Sequence, residues 1–403
     1  MAKISKKIEC LVMLPLCALF FFIGAVMAQA ATYYVATAGN DANPGTASQA
    51  FRTIARGINS LKAGDTLYIR GGTYAESIDS NKQTIPTGTS WADAPVISAY
   101  PNESVVLQIG GTSGDIINLP HSYIQYVVFQ QLILNGGSQG VSIGAAHHVK
   151  FVNLEIKNSY RNGVHINAAG GHDIWFTGGS VHDVGASLTN YPFYIEADDN
   201  LIEHMTLYDV PRYCIHNFSA SRTTHRNVYR NNVLHHCGLS FSSDAALLLT
   251  SGDDNKAYNN VLYTNSAHGI QVGAGSTNAK VYNNTVYGGS QLGIQILSGA
   301  TNAVVKNNLV VGNTTGQIRD LGTGTTSDHN ITTNPSFVNA ATFDFNLLAS
   351  SPAIDAGEFL SQVTTDFRKV PRPQGRTHDI GAYEGAGSSD IAPPLRPEGL
   401  AIQ

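Results

Sequence analysis

The sequence predicts an all-β protein, a right-handed parallel β-helix with a short N-terminal capping helix. Three observations carry that prediction. First, a phrase recurs down the chain. It reads Asn259-Asn260-Val261-Leu262 then Gly269-Ile270-Gln271-Val272, Asn283-Asn284-Thr285-Val286 then Gly293-Ile294-Gln295-Ile296, and Asn307-Asn308-Leu309-Val310. The equivalent aliphatic positions are Ile133, Ile156, Val181, Leu207, Leu234, Leu262, Val286 and Val310, separated by 23, 25, 26, 27, 28, 24 and 24 residues. Self-similarity at such a period is the mark of stacked repeats. Second, apolar and polar residues alternate over three or four positions within each repeat and then break, which is the pattern of short strands. Third, only 13% of the 403 residues are charged and 40 are Gly, which fits tight turns better than helices. A leucine-rich repeat has a similar period but needs L-x-x-L-x-L and a helix, and a WD-type propeller needs longer repeats.

The ends of the chain read differently from its middle. Residues 1–30 are an export signal: Lys3, Lys6 and Lys7 precede an apolar run from Leu11 to Ala28, and Ala28-Gln29-Ala30 is an A-x-A cleavage site. The expected location is therefore secreted or periplasmic, with no membrane segment after cleavage. Removing that signal leaves 21 basic and 28 acidic residues, a net charge of −7, which argues against a nucleic-acid partner. Residues 31–75 form an N-terminal cap module, in which Phe51, Ile54, Ile58 and Leu61 lie at helical spacing. Such a cap covers the apolar core that an end coil exposes. Residues 76–330 are the β-helix repeats, 331–385 a C-terminal cap region and 386–403 a flexible tail. A monomer is expected. Cys214 and Cys237 fall at different phases of neighbouring coils, so two buried thiols or one disulfide remain open.

The opening, Thr32-Tyr33-Tyr34-Val35-Ala36 with Gly39-Asn40-Asp41-Ala42-Asn43-Pro44-Gly45-Thr46, resembles the N-terminal module of family-9 pectate lyases and of many bacterial right-handed β-helix proteins. The closing Ser351-Pro352-Ala353-Ile354-Asp355-Ala356-Gly357 and Asp379-Ile380-Gly381-Ala382-Tyr383-Glu384 resemble the C-terminal region of exported β-helix proteins of the choice-of-anchor type. The resemblance implies the pectate-lyase-like fold, export and action on an acidic polysaccharide.

In Gly-Ile-x-Ile the two aliphatics point inward and x points outward. Aligned coils give an outward column of Ser142, His165, Tyr194, His216, Leu248, Gln271, Gln295 and Arg319. The next outward position carries Asn167, Glu196, Phe218 and Thr250. The turn before this strand carries Arg161, Arg212, Asp244 and His268, and the turn after it Asp198, Asp199, Arg222, Asp253 and Asp254. His, Tyr, Arg, Glu and Asp thus gather on the coils from about 161 to 270. Two rungs span about 10 Å, close to two sugar units.

Lyases of this fold eliminate across a uronic acid, which needs a cation to neutralise the carboxylate and a base to take the C5 proton. By that resemblance Asn167, Glu196 and Asp198 are the expected calcium ligands, hard oxygens on adjacent coils, with ordinary turn chemistry an equal alternative for Glu196 and Asp198. Arg212 or His216 is the expected base, and Tyr194 and His165 the acid or substrate contacts. Arg161, Asp244, His268 and Gln271 are the expected substrate-binding residues. The lysine base of family-9 pectate lyases has no counterpart on this strip, since Lys150 and Lys157 belong to other strands or turns. His182, His225, His235 and His236 read as turn or surface residues, and the Asn pairs as stacked ladders. A C5-epimerase would use nearly the same residues. A glycoside hydrolase needs two opposed carboxylates, for which Glu196 and Asp244 are available. A glycan-binding protein without catalysis is the remaining alternative.

Overall fold

The structure, a computed structural model, describes residues 30–186, 190–221 and 223–385. The export signal up to residue 29, Arg222 and the tail from residue 386 lie outside the described residues. The chain winds as a right-handed parallel β-solenoid. One wall is a ten-stranded sheet in strict chain order. It runs through Val141–Ile143, Val164–Ile166, Phe193–Ile195, Ile215–Asn217, Ala245–Leu249, His268–Val272 and Leu292–Ile296 to Gly316–Asp320. The other walls merge into one 20-stranded sheet. They merge because His147–Lys157 and His172–His182, of 11 residues each, turn the corner without leaving the ladder.

Apolar columns fill the interior. Phe129, Phe151 and Phe176 stack on consecutive coils at 5.3 and 4.4 Å between ring centroids, and all three are buried. Each contributes on the order of 2 kcal/mol by leaving water. The repeat register agrees with the sequence alignment from Ile156 to Val310. It differs at the start, where Ile156 pairs with Leu134 and not Ile133. Leu134 is the buried residue of the two, and the pleat sends its neighbour outward.

Corners are made by single residues of left-handed backbone, repeated at the same place on successive coils. One such column is His148, Asp173, Asp199, Arg226 and Asp254, with φ of 52°, 53°, 59°, 56° and 56°. Asn and Asp tolerate this conformation best, so His and Arg here are departures.

The Asn pairs divide their labour. The second member of each pair, at 232, 260, 284 and 308, is fully buried and forms a ladder. The amide of Asn260 donates to Asn284 Oδ1 at 3.0 Å and to the Tyr229 carbonyl at 2.9 Å, and Asn284 repeats this with Asn308 and Ala257. These corners thereby satisfy polar groups that water cannot reach. The first members, Asn259, Asn283 and Asn307, face outward and donate to the carbonyls of Thr365, Asp379 and Glu358. The C-terminal region is thus strapped sideways to three consecutive coils. The motif residue Glu384 is structural: its side chain and that of Arg372, both without solvent exposure, pair at 2.6 Å inside the strap.

At the other end the helix is shorter than the apolar stripe, covering Ile54–Ile58 with Thr53 as its N-cap. Ile54 and Ile58 are fully buried. Gly57 lies so close to the sheet that a Cβ would meet Leu67 Cδ1 at 2.7 Å. Thr32–Val35 and Thr66–Ile69 pair in parallel and pass directly into Val96–Ala99, so the first rungs already lie within residues 31–75.

Candidate active site

The outward column of the ten-stranded sheet is in the register read from the sequence: Ser142, His165, Tyr194, His216, Leu248, Gln271, Gln295 and Arg319 oppose one another in turn. Parallel strands repeat at about 4.8 Å, so flat side chains in such a column stack. His165 and Tyr194 have centroids 5.0 Å apart with planes 6° from parallel, and Tyr194 and His216 follow at 5.2 Å.

Glu196 gathers this column. Its carboxylate lies 2.8 Å from His165 Nε2 and accepts a bond from Ser219 Oγ at 3.2 Å. Burial and the negative charge of nearby Glu196 push the Tyr194 phenol above its ordinary pKa, so it stays protonated at neutral pH. With Nε2–H donated to Glu196, His165 keeps Nδ1 as its lone-pair nitrogen.

Arg212 is not a proton acceptor, contrary to expectation. Its Nε and Nη2 donate to the two oxygens of buried Asp244 at 2.6 and 3.0 Å. That bond raises the guanidinium pKa further, so the group is a permanent cation. His216 is also a poor base. It sits among Tyr191 and Tyr213 at 4.3 and 4.5 Å between centroids, and burial pushes it down to about 3. Its Nδ1 is buried without a hydrogen-bond partner.

The expected calcium ligands do not form an oxygen cage. Asn167 Oδ1 accepts from Ala169 N at 2.9 Å in its own turn. Asp198 Oδ1 accepts from His225 N at 2.8 Å on the next coil. Glu196 is engaged by His165 and Ser219. The donor set therefore does not fit a calcium ion, which needs six or more converging oxygens. Of the expected substrate contacts, Arg161 is exposed on the turn of the His165 coil. Asp244 serves Arg212, His268 Nδ1 accepts from Leu292 N at 3.1 Å, and Gln271 donates to Gln295 at 3.0 Å. The last three are internal bonds of the solenoid.

The structure adds residues that the sequence reading passed over. Tyr191, Tyr213 and Phe241 wall the Arg212 guanidinium. The available signal was an aromatic three residues before two of the outward rings, Tyr191 before Tyr194 and Tyr213 before His216. Cys214 and Cys237 form a disulfide with Cα atoms 5.6 Å apart. Their different phases proved no obstacle, because the turn after Val233–His235 folds back: Gly238 N donates to the Arg212 carbonyl at 2.8 Å. The bridge fixes the turn that carries Arg212.

Residues 33–209 match the family described as Pel9A-like, right handed beta helix region. That span holds His165, Tyr194 and Glu196 and stops short of Arg212. The chain is 31% identical over 158 residues to pectate lyase PEL9 of Emericella nidulans, an alignment covering 36% of this chain and 38% of that protein. The chain therefore spans well under half of that relative's length. Among solved structures, that of pectate lyase Pel9A is similar with a TM-score of 0.59 and 17% identity, over 88% of this chain and 96% of the other. A glycoside hydrolase is similar at 0.52 and 10% identity, over 75% and 96% of the two chains. A rhamnogalacturonan lyase is similar at 0.50 and 15%, over 75% and 85%. At these identities the likeness to solved structures is one of fold.

Proposed function

We propose that this protein is an exported polysaccharide lyase that cleaves uronic-acid-containing polymers by β-elimination on the His165–Tyr194–Glu196 strip. The observation that carries the reading is the shared carboxylate: Glu196 orients the His165 imidazole, and its charge helps keep the Tyr194 phenol protonated on the next rung of a half-buried stacked column. His165 Nδ1 takes the C5 proton, and the C5–H electrons form the C4=C5 double bond. The C4–O bond breaks, and the leaving oxygen takes the Tyr194 phenolic proton. Glu196 holds His165 in the tautomer with a free Nδ1 and stabilises the imidazolium that forms. Arg161 and Arg212, on the turns before these strands, pair with uronate carboxylates. Stabilising negative charge next to C5 is what makes its proton removable.

No step is routed through calcium, because the oxygen-bearing residues are committed elsewhere. Hydrolysis is disfavoured because Asp244, the second carboxylate it would need, is saturated by Arg212. The match of residues 33–209, which hold the strip, to the Pel9A-like family and the similarity of the chain to a pectate lyase support a pectate-like substrate. The Cys214–Cys237 bridge supports an oxidising compartment, as export would supply. We expect the protein to act as a monomer on an extended chain.

The test is to incubate the processed protein with polygalacturonate, alginate, rhamnogalacturonan and glycosaminoglycans, with and without chelator. The ultraviolet band of unsaturated uronides should rise on one of them and vanish in His165→Ala. New reducing ends without that band would make the protein a hydrolase. Retention on a glycan column with neither signal would make it a binding protein.

A further inference from the structure

We propose a second site, a divalent transition-metal site of His148, His172 and Asp173, on a corner of the solenoid away from the His–Tyr strip. The sequence places His147-His148 on one coil and His172-Asp173 on the next. In-register pairing sets His147 opposite His172, and their rings are 4.9 Å apart and 2° from parallel. His148 and Asp173 follow at φ of 52° and 53°. Left-handed backbone at the same position on both coils turns both side chains the same way. The outcome is a two-by-two grid of donors on one ridge.

Within that grid one ligand atom from each of His148, His172 and Asp173 lies within 4.8 Å of the other two. Asp173 Oδ2 is 2.8 Å from His172 Nδ1 and 3.9 Å from His148 Nε2. His147 Nδ1 lies 2.9 Å from His148 Nδ1, so one ring nitrogen of His148 is committed and Nε2 is left towards Asp173. An outer hydrogen bond of this kind orients metal-ligating imidazoles. Two imidazole nitrogens and one carboxylate select zinc, nickel, cobalt or copper over calcium or magnesium. Three protein ligands leave a coordination position for water or a sugar oxygen.

The other cluster of this kind among the described residues, Asp328, His329 and Glu358, is already served by a cation. Lys306 Nζ lies 2.5 Å from Glu358. The His148 grid has no such ammonium on its carboxylate among the ion pairs seen. Beside it stand Trp91, 6.4 Å from the His148 ring, and Trp175, 5.2 Å from Trp91, with Lys150 against both indoles. These are the only two tryptophans in the chain, so fluorescence excited selectively at tryptophan reports on this ridge alone.

The experiment is a titration of chelator-stripped full-length processed protein with Cu²⁺, Ni²⁺, Co²⁺ and Zn²⁺, with Ca²⁺ as control. Cu²⁺ and Ni²⁺ should quench tryptophan fluorescence saturably with one equivalent, and excess Zn²⁺ should compete with Ni²⁺ for the site. Ca²⁺ should do neither. His148→Ala and His172→Gln should each weaken binding at least tenfold with an unchanged circular dichroism spectrum. His165→Ala and His236→Ala should bind as wild type does. The proposal is overturned if wild type shows no saturable quenching below millimolar metal. It is equally overturned if one-equivalent binding survives both His148→Ala and His172→Gln.

Discussion

Positions 165, 194 and 216 and positions 271 and 295 occupy the same column of the same sheet, with the same pleat and spacing. Their difference is one of bonding direction. Gln271 donates to Gln295, so that stretch closes on itself along the column. His165 bonds sideways, to Glu196 in the neighbouring column, which keeps one ring nitrogen out of the ladder. The solenoid backbone supplies equivalent addresses. Whether an address is structural or chemical depends on whether its side chain finds its partner in its own column.

The comparison can be broken at its reactive end first. His165→Ala should reduce turnover on the responsive polymer by about 10²–10⁴-fold, the range of a lost general base, with melting temperature nearly unchanged. If activity survives, His165 does not differ in kind from Gln271. Next, Asn284→Ala removes one ladder rung that two buried neighbours rely on. It should cost about 3 kcal/mol by the unsatisfied-group argument, read as a lower denaturant midpoint.

A pH series sharpens the contrast within the reactive stretch. His216 titrates at about 3 in the folded protein and at about 6.5 when unfolded. A lowered folded pKa means that the unfolded chain binds the proton more tightly. The stabilisation is present above about pH 6.5 and is lost as pH falls from there towards 3. Between pH 7 and 5 the loss should be about 2 kcal/mol, and His216→Phe should flatten that part of the stability profile. The smallest effect belongs to the closed stretch. Gln271→Ala should cost about 1 kcal/mol, the net worth of one hydrogen bond, and leave activity unchanged.

Much of this was legible in the sequence. Gly-Ile-x-Ile fixed the outward column, because inward aliphatics at a regular period leave no freedom of register. The roles within the column were less legible. Arg212 read as a base because its partner lies 32 residues away on another turn, and turn geometry is not encoded in a strand pattern. Asn167 and Asp198 read as ligands because an oxygen on a corner looks the same whether it faces a cation or caps a backbone N–H. The disulfide escaped for the same reason: phase along a strand says nothing about how a corner folds back. The His147-His148 and His172-Asp173 pairs had a signal that was passed over, a polar dipeptide recurring at the coil period just before Val149-x-Phe151 and Ile174-x-Phe176.

The strap held by Asn259, Asn283 and Asn307 has a consequence for how this gene can change. Near-identical tandem coils invite unequal recombination, which adds or deletes whole units, and most solenoids tolerate it because each unit contacts only its neighbours. Here three anchors at an interval of 24 residues receive partners at fixed places on one C-terminal segment. An extra unit between Asn259 and Asn307 would move one anchor about 4.8 Å out of reach. The segment acts as a gauge of unit number, so length variation should accumulate in the coils before Asn259 and be purged between the anchors.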